Sequence, residues 1–345
     1  MNLPYFFKFV AANVGAVAIG LSLGLLIVYA TGSDLSLAAT TLVLAPISDF
    51  YNLAEMLVWF TPLLVIAQGI GLGIRAGVWN VGAPGQFLLG SVFTMIVWKF
   101  LNPYIPPAPL VILMLLGGAA GGCLWALIPA VIRARFGGNE IVVTLLLNLV
   151  AVSVLWWALD GPIRGRFSAG YPLSDVIPTV YRIPTLIPDT RLSYSLAISL
   201  AVAALFYVLV EKTHFGLQLK AVGLNPVAAK NSGIKVSWTL FRALLIAGAA
   251  AGFAGSLHLL GVLYRMDAGY AETGNDFGYI AIAVAMLGGA HPLGIVFSSI
   301  FFSYMMIGAQ NMQRMIQIPF PLVYAVVGCM LISLTLVQRA YRRSL

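Results

Sequence analysis

Asn80, Gln86, Asn139, Glu140 and Asn148 are the polar residues that could line a solute pathway through this apolar chain. Side-chain amides both donate and accept hydrogen bonds, so the chemistry they offer is recognition of a neutral hydroxylated or heterocyclic solute rather than bond breaking. The opposing reading is that Asn and Gln are glue between helices, and Glu140 can equally stabilise the positive N-terminus of the helix it opens. Phe87, with Trp79, Trp156 and Trp157, offers aromatic faces on which a base could stack; a belt at the membrane interface is the alternative, above all for Trp156 and Trp157. Catalysis is not indicated. The chain has no Ser–His–Asp set and no paired buried carboxylates, and His214, His258 and His291 stand far apart with no metal-ligand spacing, so no catalytic residue and no metal are expected. It also has no GxxxxGK[ST] phosphate loop, so ATP and Mg would have to be bound by a separate protein.

The elements that hold these residues are membrane helices. The 345 residues are 61% hydrophobic and 9% charged, against about 25% charged in a soluble domain. Windows of about 20 apolar residues, the length that spans a bilayer, recur along the whole chain. Spans are expected near 9–30, 56–73, 84–101, 109–132, 141–159, 192–211, 238–262, 278–290, 293–310 and 319–338. The fold class is therefore an all-α polytopic membrane protein of about ten transmembrane helices, one transmembrane domain over 1–345. The first span is over-long for a signal peptide and lacks a clear small-x-small cleavage site, so it reads as a retained anchor.

The net charge of +8 bears on topology, not on nucleic acid. With the N-terminus inside, most Lys and Arg fall on the cytoplasmic side, where Glu140 and Glu211 are the acids, as the positive-inside rule requires. Both termini are then cytoplasmic, 215–236 is a cytoplasmic loop, and the proline-rich segment 160–191 is the main external loop. No span carries a mid-membrane Asp, Lys or Arg, which argues against a proton-coupled pump.

Two Gly/Pro-interrupted segments, "NVGAPGQ" (80–86) and "GGAHPLG" (288–294), lie one in the first and one in the second half of the chain. Such pairs point to broken helices beside a midplane binding site. Gly82, Pro84 and Gly85 in the first and Gly289, Pro292 and Gly294 in the second are the expected breaks, within two weakly pseudo-repeated halves. Irregular backbone at that depth is tolerated only where it is buried in protein or lines a watered cavity. The small-residue runs "GGAAGGC" (117–123) and "AGAAAGFAGS" (247–256) are expected to let helices approach closely.

Within "FGLQLKAVGLNPVAAKNSGIKV" (215–236), Asn225 is a good N-cap, Pro226 suits the first helical position, and Gly233 supplies a left-handed stop. The result is a helix of about two turns over 226–232, too short to stand alone in water. It is either a basic loop resting on lipid headgroups or a docking element for a soluble subunit.

That stretch resembles the coupling loop "RAVGxNPxAAxxxGI" of bacterial ABC importer permeases of the ribose and nucleoside permease family. "IRAGVWNVGAPGQFLLGS" (74–91) is similar to the family's "FNIGAEGQ" segment, "GGNEIVVTLLLNLVA" (137–151) to the "NEVxxTxMLN" segment of its nucleoside branch, and "GYIAIAVAMLGGAHPLGIVFSS" (278–299) to "IAVALLGxxxPxG". These stretches run in the family's order from 74 to about 300. One departure is Pro84, where the family often has an acid. The resemblance implies that Gly223, Asn225, Pro226, Ala228, Ala229 and Gly233 contact an ABC ATPase subunit. It also implies a second permease subunit, usually a different protein, an external substrate-binding protein or lipoprotein, and a place in the bacterial inner membrane. A nucleoside is the expected cargo, with a simple sugar or another small polar solute as the alternative. A secondary transporter or channel is the competing class; it explains the broken helices but not the capped cytoplasmic helix.

Overall fold

The computed structural model describes residues 34–166 and 170–316, with scattered positions between 15 and 30 and between 325 and 337. The expected spans at 9–30 and 319–338 lie largely outside the described residues. Among the described residues the chain is all-helical, with no strand. The helices are α1 (Leu35–Ser48), α2 (Phe50–Arg75), α3 (Ala83–Leu101), α4 (Pro107–Phe136), α5 (Glu140–Asp160), α6 (Ser195–Glu211), α7 (His214–Leu224), α8 (Pro226–Asn231), α9 (Val236–His258), α10 (Tyr270–Leu287) and α11 (Pro292–Ile316).

Among the described residues, six helices are long and apolar enough to cross a membrane: α2, α3, α4, α5, α11, and α9 with the π-helical turn Leu259–Leu263 that extends it. The pair α6 and α7 is bent by 67° and makes a seventh if counted as one span. The span expected at 278–290 is helical as part of α10, but the first half of that helix carries Glu272, Thr273, Asn275 and Asp276 and is too polar to count by composition. Helix α1 was not anticipated. It is a 14-residue apolar helix whose first turn is satisfied by Asp34, which accepts from the Ser36 and Leu37 amides at 2.8 and 3.2 Å.

The described residues fall into two compact units, one of 57–300 and one of 1–56 with 301–345. In the second, Leu42 of α1 packs among Met305, Ala309 and Met312 of α11. Asn311 there donates to the Asn52 side chain at 3.1 Å. The first is built around α3, α4 and α9. Gly90 of α3 meets Gly252 of α9 backbone to backbone, and Gly118 and Gly122 of α4 close on the same helix at Gly248, Gly252 and Ser256. A Cβ on Gly252 would overlap the Gly118 carbonyl and the Gly122 backbone. The two small-residue runs are therefore the two sides of one seam. Without a hydrophobic drive between helices in lipid, such close approach gains dispersion and leaves room for hydrogen bonds across the seam. Thr94 supplies one, with its hydroxyl 2.7 Å from that of Ser256.

Residues 161–166 and 170–194 are irregular apart from the single turn Thr179–Tyr181. They are tied down over the end of α9 by backbone bonds from Ile183 to the Leu260 carbonyl, from Ile177 to that of Tyr264 and from Ser174 to that of Met266, all 2.8–3.0 Å.

Candidate functional site

Helix α2 stops at Arg75 and α3 starts at Ala83, leaving residues 76–82 as irregular backbone with Gly77 at φ +79°. Gly82 is the N-cap of α3, and Pro84 and Gly85 lie inside its first turn, where proline costs no helix bond. The interruption is thus 76–82, just before Pro84. Its polar groups are satisfied by the amides that the sequence singles out. Asn80 and Gln86 pair reciprocally, at 2.7 and 3.0 Å, and Asn80 also accepts from the Gly82 amide at 3.2 Å. Asn148 of α5 accepts from the Gly85 amide at 3.0 Å and donates to the Val81 carbonyl at 3.0 Å. Its Nδ2 also lies 3.3 Å from the Tyr279 hydroxyl of α10. All three amides are buried.

Asn139 and Glu140 stand at the start of α5. The Asn139 side chain caps the helix, accepting from the Ile141 amide at 2.9 Å. Glu140 accepts from the Trp79 amide of the break at 3.3 Å and sits 3.2 Å from Arg133 at the end of α4. Phe87 is fully buried one turn into α3, with the rings of Phe277, Tyr270 and His258 at 5.9, 6.0 and 6.1 Å.

The second interruption is 288–291, between α10 and α11. Gly289 and Ala290 both hold positive φ, and Pro292 opens α11. Gly294 packs against the Gly288 backbone, where a Cβ would collide. This break rests on α2 just ahead of the first one. Gln68 donates to the Pro292 carbonyl at 2.9 Å and Arg75 Nε to the Ala290 carbonyl at 2.7 Å.

The capped segment is α8, Pro226–Asn231, with Asn225 accepting from the Val227 and Ala228 amides at 3.0 Å each and Gly233 at φ +84° just beyond. Ala228 is exposed and Ala229 buried, and Leu224 and Val227 present apolar side chains to the outside at 77% and 67% exposure. Gly223, one turn earlier in α7, lies directly on the Arg75 carbonyl; any side chain there would overlap it. Arg75 Nη2 and His291 Nε2 reach the same Glu211 oxygen, at 2.6 and 3.5 Å.

The fold thus gathers the residues of the first break with Asn148 and Glu140, and sets the second break and the 215–236 segment against Arg75. Asn139 belongs to a helix cap. Arg75, Glu211 and His291 form the junction that sequence reasoning passed over. The available signal was that Glu211 is one of just two acids on the side expected to be cytoplasmic.

Long apolar helices, with two interruptions that share one polar junction, define a multi-pass membrane protein. The chain belongs to the family described as branched-chain amino acid transport system / permease component, whose model matches residues 52–335. It is 31% identical to the glucose ABC transporter permease protein of Haloferax volcanii, over 79% of this chain and 73% of that one. It is 30% identical to the guanosine ABC transporter permease protein of Bacillus subtilis, over 86% and 84%. To the nucleoside ABC transporter permease protein of Lactococcus lactis subsp. cremoris it is 28% identical, over 86% and 83%. No solved structure matches the chain.

Proposed function

We propose that this chain is the translocation subunit of an ATP-driven ABC importer and that its cargo is a nucleoside. The observation that carries the reading is the contact of Gly223 with the Arg75 carbonyl, which links an exposed capped helix to the ends of two broken spans. A cytoplasmic ATPase pair, binding ATP and Mg and closing beneath α8, would push α7 against that junction and shift both breaks together. Alternating access then needs no chemistry in this chain. The cargo assignment is supported by the guanosine and nucleoside permeases among the relatives.

The complete assembly would contain ATPase subunits, a second permease of different sequence and an external binding protein or lipoprotein, in a bacterial inner membrane. In this reading the chain is one permease domain of about ten spans in two pseudo-repeated halves, with both termini in the cytoplasm, 160–191 outside and 215–236 inside. Asn80, Gln86, Phe87, Glu140 and Asn148 would line the pathway in conformations where the first break opens. A sugar cargo is the second reading, favoured by the equally similar glucose permease.

Uptake of labelled guanosine, uridine, ribose, glucose and leucine in cells with and without the gene tests the cargo. Loss of nucleoside uptake alone is the expected result. Loss of glucose or ribose uptake alone would transfer the assignment to a sugar, and loss of leucine uptake alone would refute both.

A further inference from the structure

His258, the last residue of α9, opens onto a cavity of about 10 Å³, which is room for about one oxygen-sized group. Its polar walls come from three parts of the chain: Thr61 in α2, Arg191 and Ser193 in the irregular segment, and Ser195 at the start of α6. The hydroxyls are already oriented as donors. Thr61 donates to the Leu57 carbonyl at 3.0 Å, Ser193 to the Ser195 oxygen at 2.9 Å, and Ser195 points at the Leu257 carbonyl at 3.4 Å. Each hydroxyl oxygen therefore retains accepting capacity.

The imidazole is 6% exposed, and its Nδ1 has no hydrogen-bond partner. It also abuts an aromatic cluster, with the Phe277 ring at 4.9 Å edge-on and Phe87 at 6.1 Å. Trp59 stands 4.7 Å from Phe277. Leaving a buried ring nitrogen unpaired costs free energy that a leucine or phenylalanine in the same place would not incur. A neutral imidazole can accept or donate according to its tautomer, so it can serve a hydroxyl or a ring N–H equally.

We propose that the cavity bounded by His258, Thr61, Ser193 and Ser195 is a specificity subsite, in which one hydroxyl or ring N–H edge of the cargo hydrogen-bonds to the imidazole and the serine oxygens. The proposal rests on the reading of the chain as a permease for a nucleoside or sugar. It makes His258 a residue that selects cargo, while the aromatic cluster holds its ring in place and offers an apolar face beside it.

The test compares His258→Leu, His258→Gln and Ser195→Ala with the parent in cells carrying the whole transport system, by saturation kinetics of uptake and by membrane level of the chain. Losing one hydrogen bond to cargo should raise the half-saturating concentration about tenfold in His258→Leu. His258→Gln should recover part of it, and maximal rate and membrane level should stay within about twofold of the parent. An unchanged half-saturating concentration in both His258→Leu and Ser195→Ala would overturn the subsite, and so would a loss confined to maximal rate or membrane level, since that marks a packing role. If the parent carries glucose or ribose but no nucleoside, the nucleoside reading falls while the subsite is judged on the sugar by the same comparison. Uptake of leucine alone would overturn both.

Discussion

Glu211 Oε1 lies 2.6 Å from Arg75 Nη2, so the last residue of α6 is fastened to the last residue of α2. Arg75 suits the negative end of its helix, whereas Glu211 does not suit the same end of α6, and the Arg75 guanidinium beside it offsets that conflict. The pair is half-buried, with side-chain exposures of 18% and 29%, and the Arg75 guanidinium is also held by the Ala290 carbonyl. Fixed at several atoms, it escapes the entropy cost that makes most surface ion pairs nearly neutral. It joins α6, which leads into the 215–236 segment, to both helix breaks.

Glu211→Gln should lower uptake about tenfold while the chain reaches the membrane at its usual level, because it weakens a charge-assisted bond worth roughly 1.5 kcal/mol or more. The exchange Arg75→Glu with Glu211→Arg should restore part of the loss. Equal defects in the single and exchanged variants would show that the pair itself does not carry the coupling.

Gly223→Trp should abolish uptake by forcing α7 off the Arg75 carbonyl. Ala229→Asp should do the same by placing a charge where α8 is buried. Membrane level, followed by immunoblot, should stay near that of the parent in both. Unchanged uptake in both would remove 215–236 from the mechanism.

Asn80→Leu leaves the Gln86 amide and the Gly82 N–H without their partner. The expected cost is about 1–3 kcal/mol, read as a lower midpoint of thermal unfolding in detergent. Asn80→Leu with Gln86→Leu should cost less than the sum of the two single changes, since the groups share one pair of bonds. Strict additivity would mean that the reciprocal pair is not formed.

Gly252→Leu should prevent stable accumulation of the chain, because α9 meets both α3 and α4 at this backbone. Overpacking of this kind costs about 1–3 kcal/mol where neighbours can shift; here the neighbours are main chain. Accumulation equal to the parent's would contradict the three-helix seam.

What could be read from the sequence was local or compositional. Asn225, Pro226 and Gly233 announce α8 because cap preferences depend on a few adjacent residues. The glycine runs at 117–123 and 247–256 announce close packing, but composition cannot say that each is the other's partner. Asn139 drew attention as an amide able to bind a solute, and the hydrogen bonds it makes in this structure are those of a helix cap, a role set by its position just ahead of α5. Helix α1 escaped notice because Pro46 and the polar boundary at Ser48–Asp49 break up the apolar run. The Arg75, Glu211 and His291 junction showed in the sequence only as Glu211, one of two acids on the side expected to be cytoplasmic. It joins residues far apart in the chain, and a lone charge at the end of a span looks like any other topology signal.

The most direct test of ATP-driven transport is the energy source of uptake by the complete system. Labelled guanosine uptake should be measured once with ATP depleted and the proton gradient maintained, and once with the gradient collapsed and ATP maintained. Uptake that stops on ATP depletion and survives collapse of the gradient is the expected result. Uptake that survives ATP depletion and stops when the gradient collapses would contradict it, and would make the chain a secondary transporter.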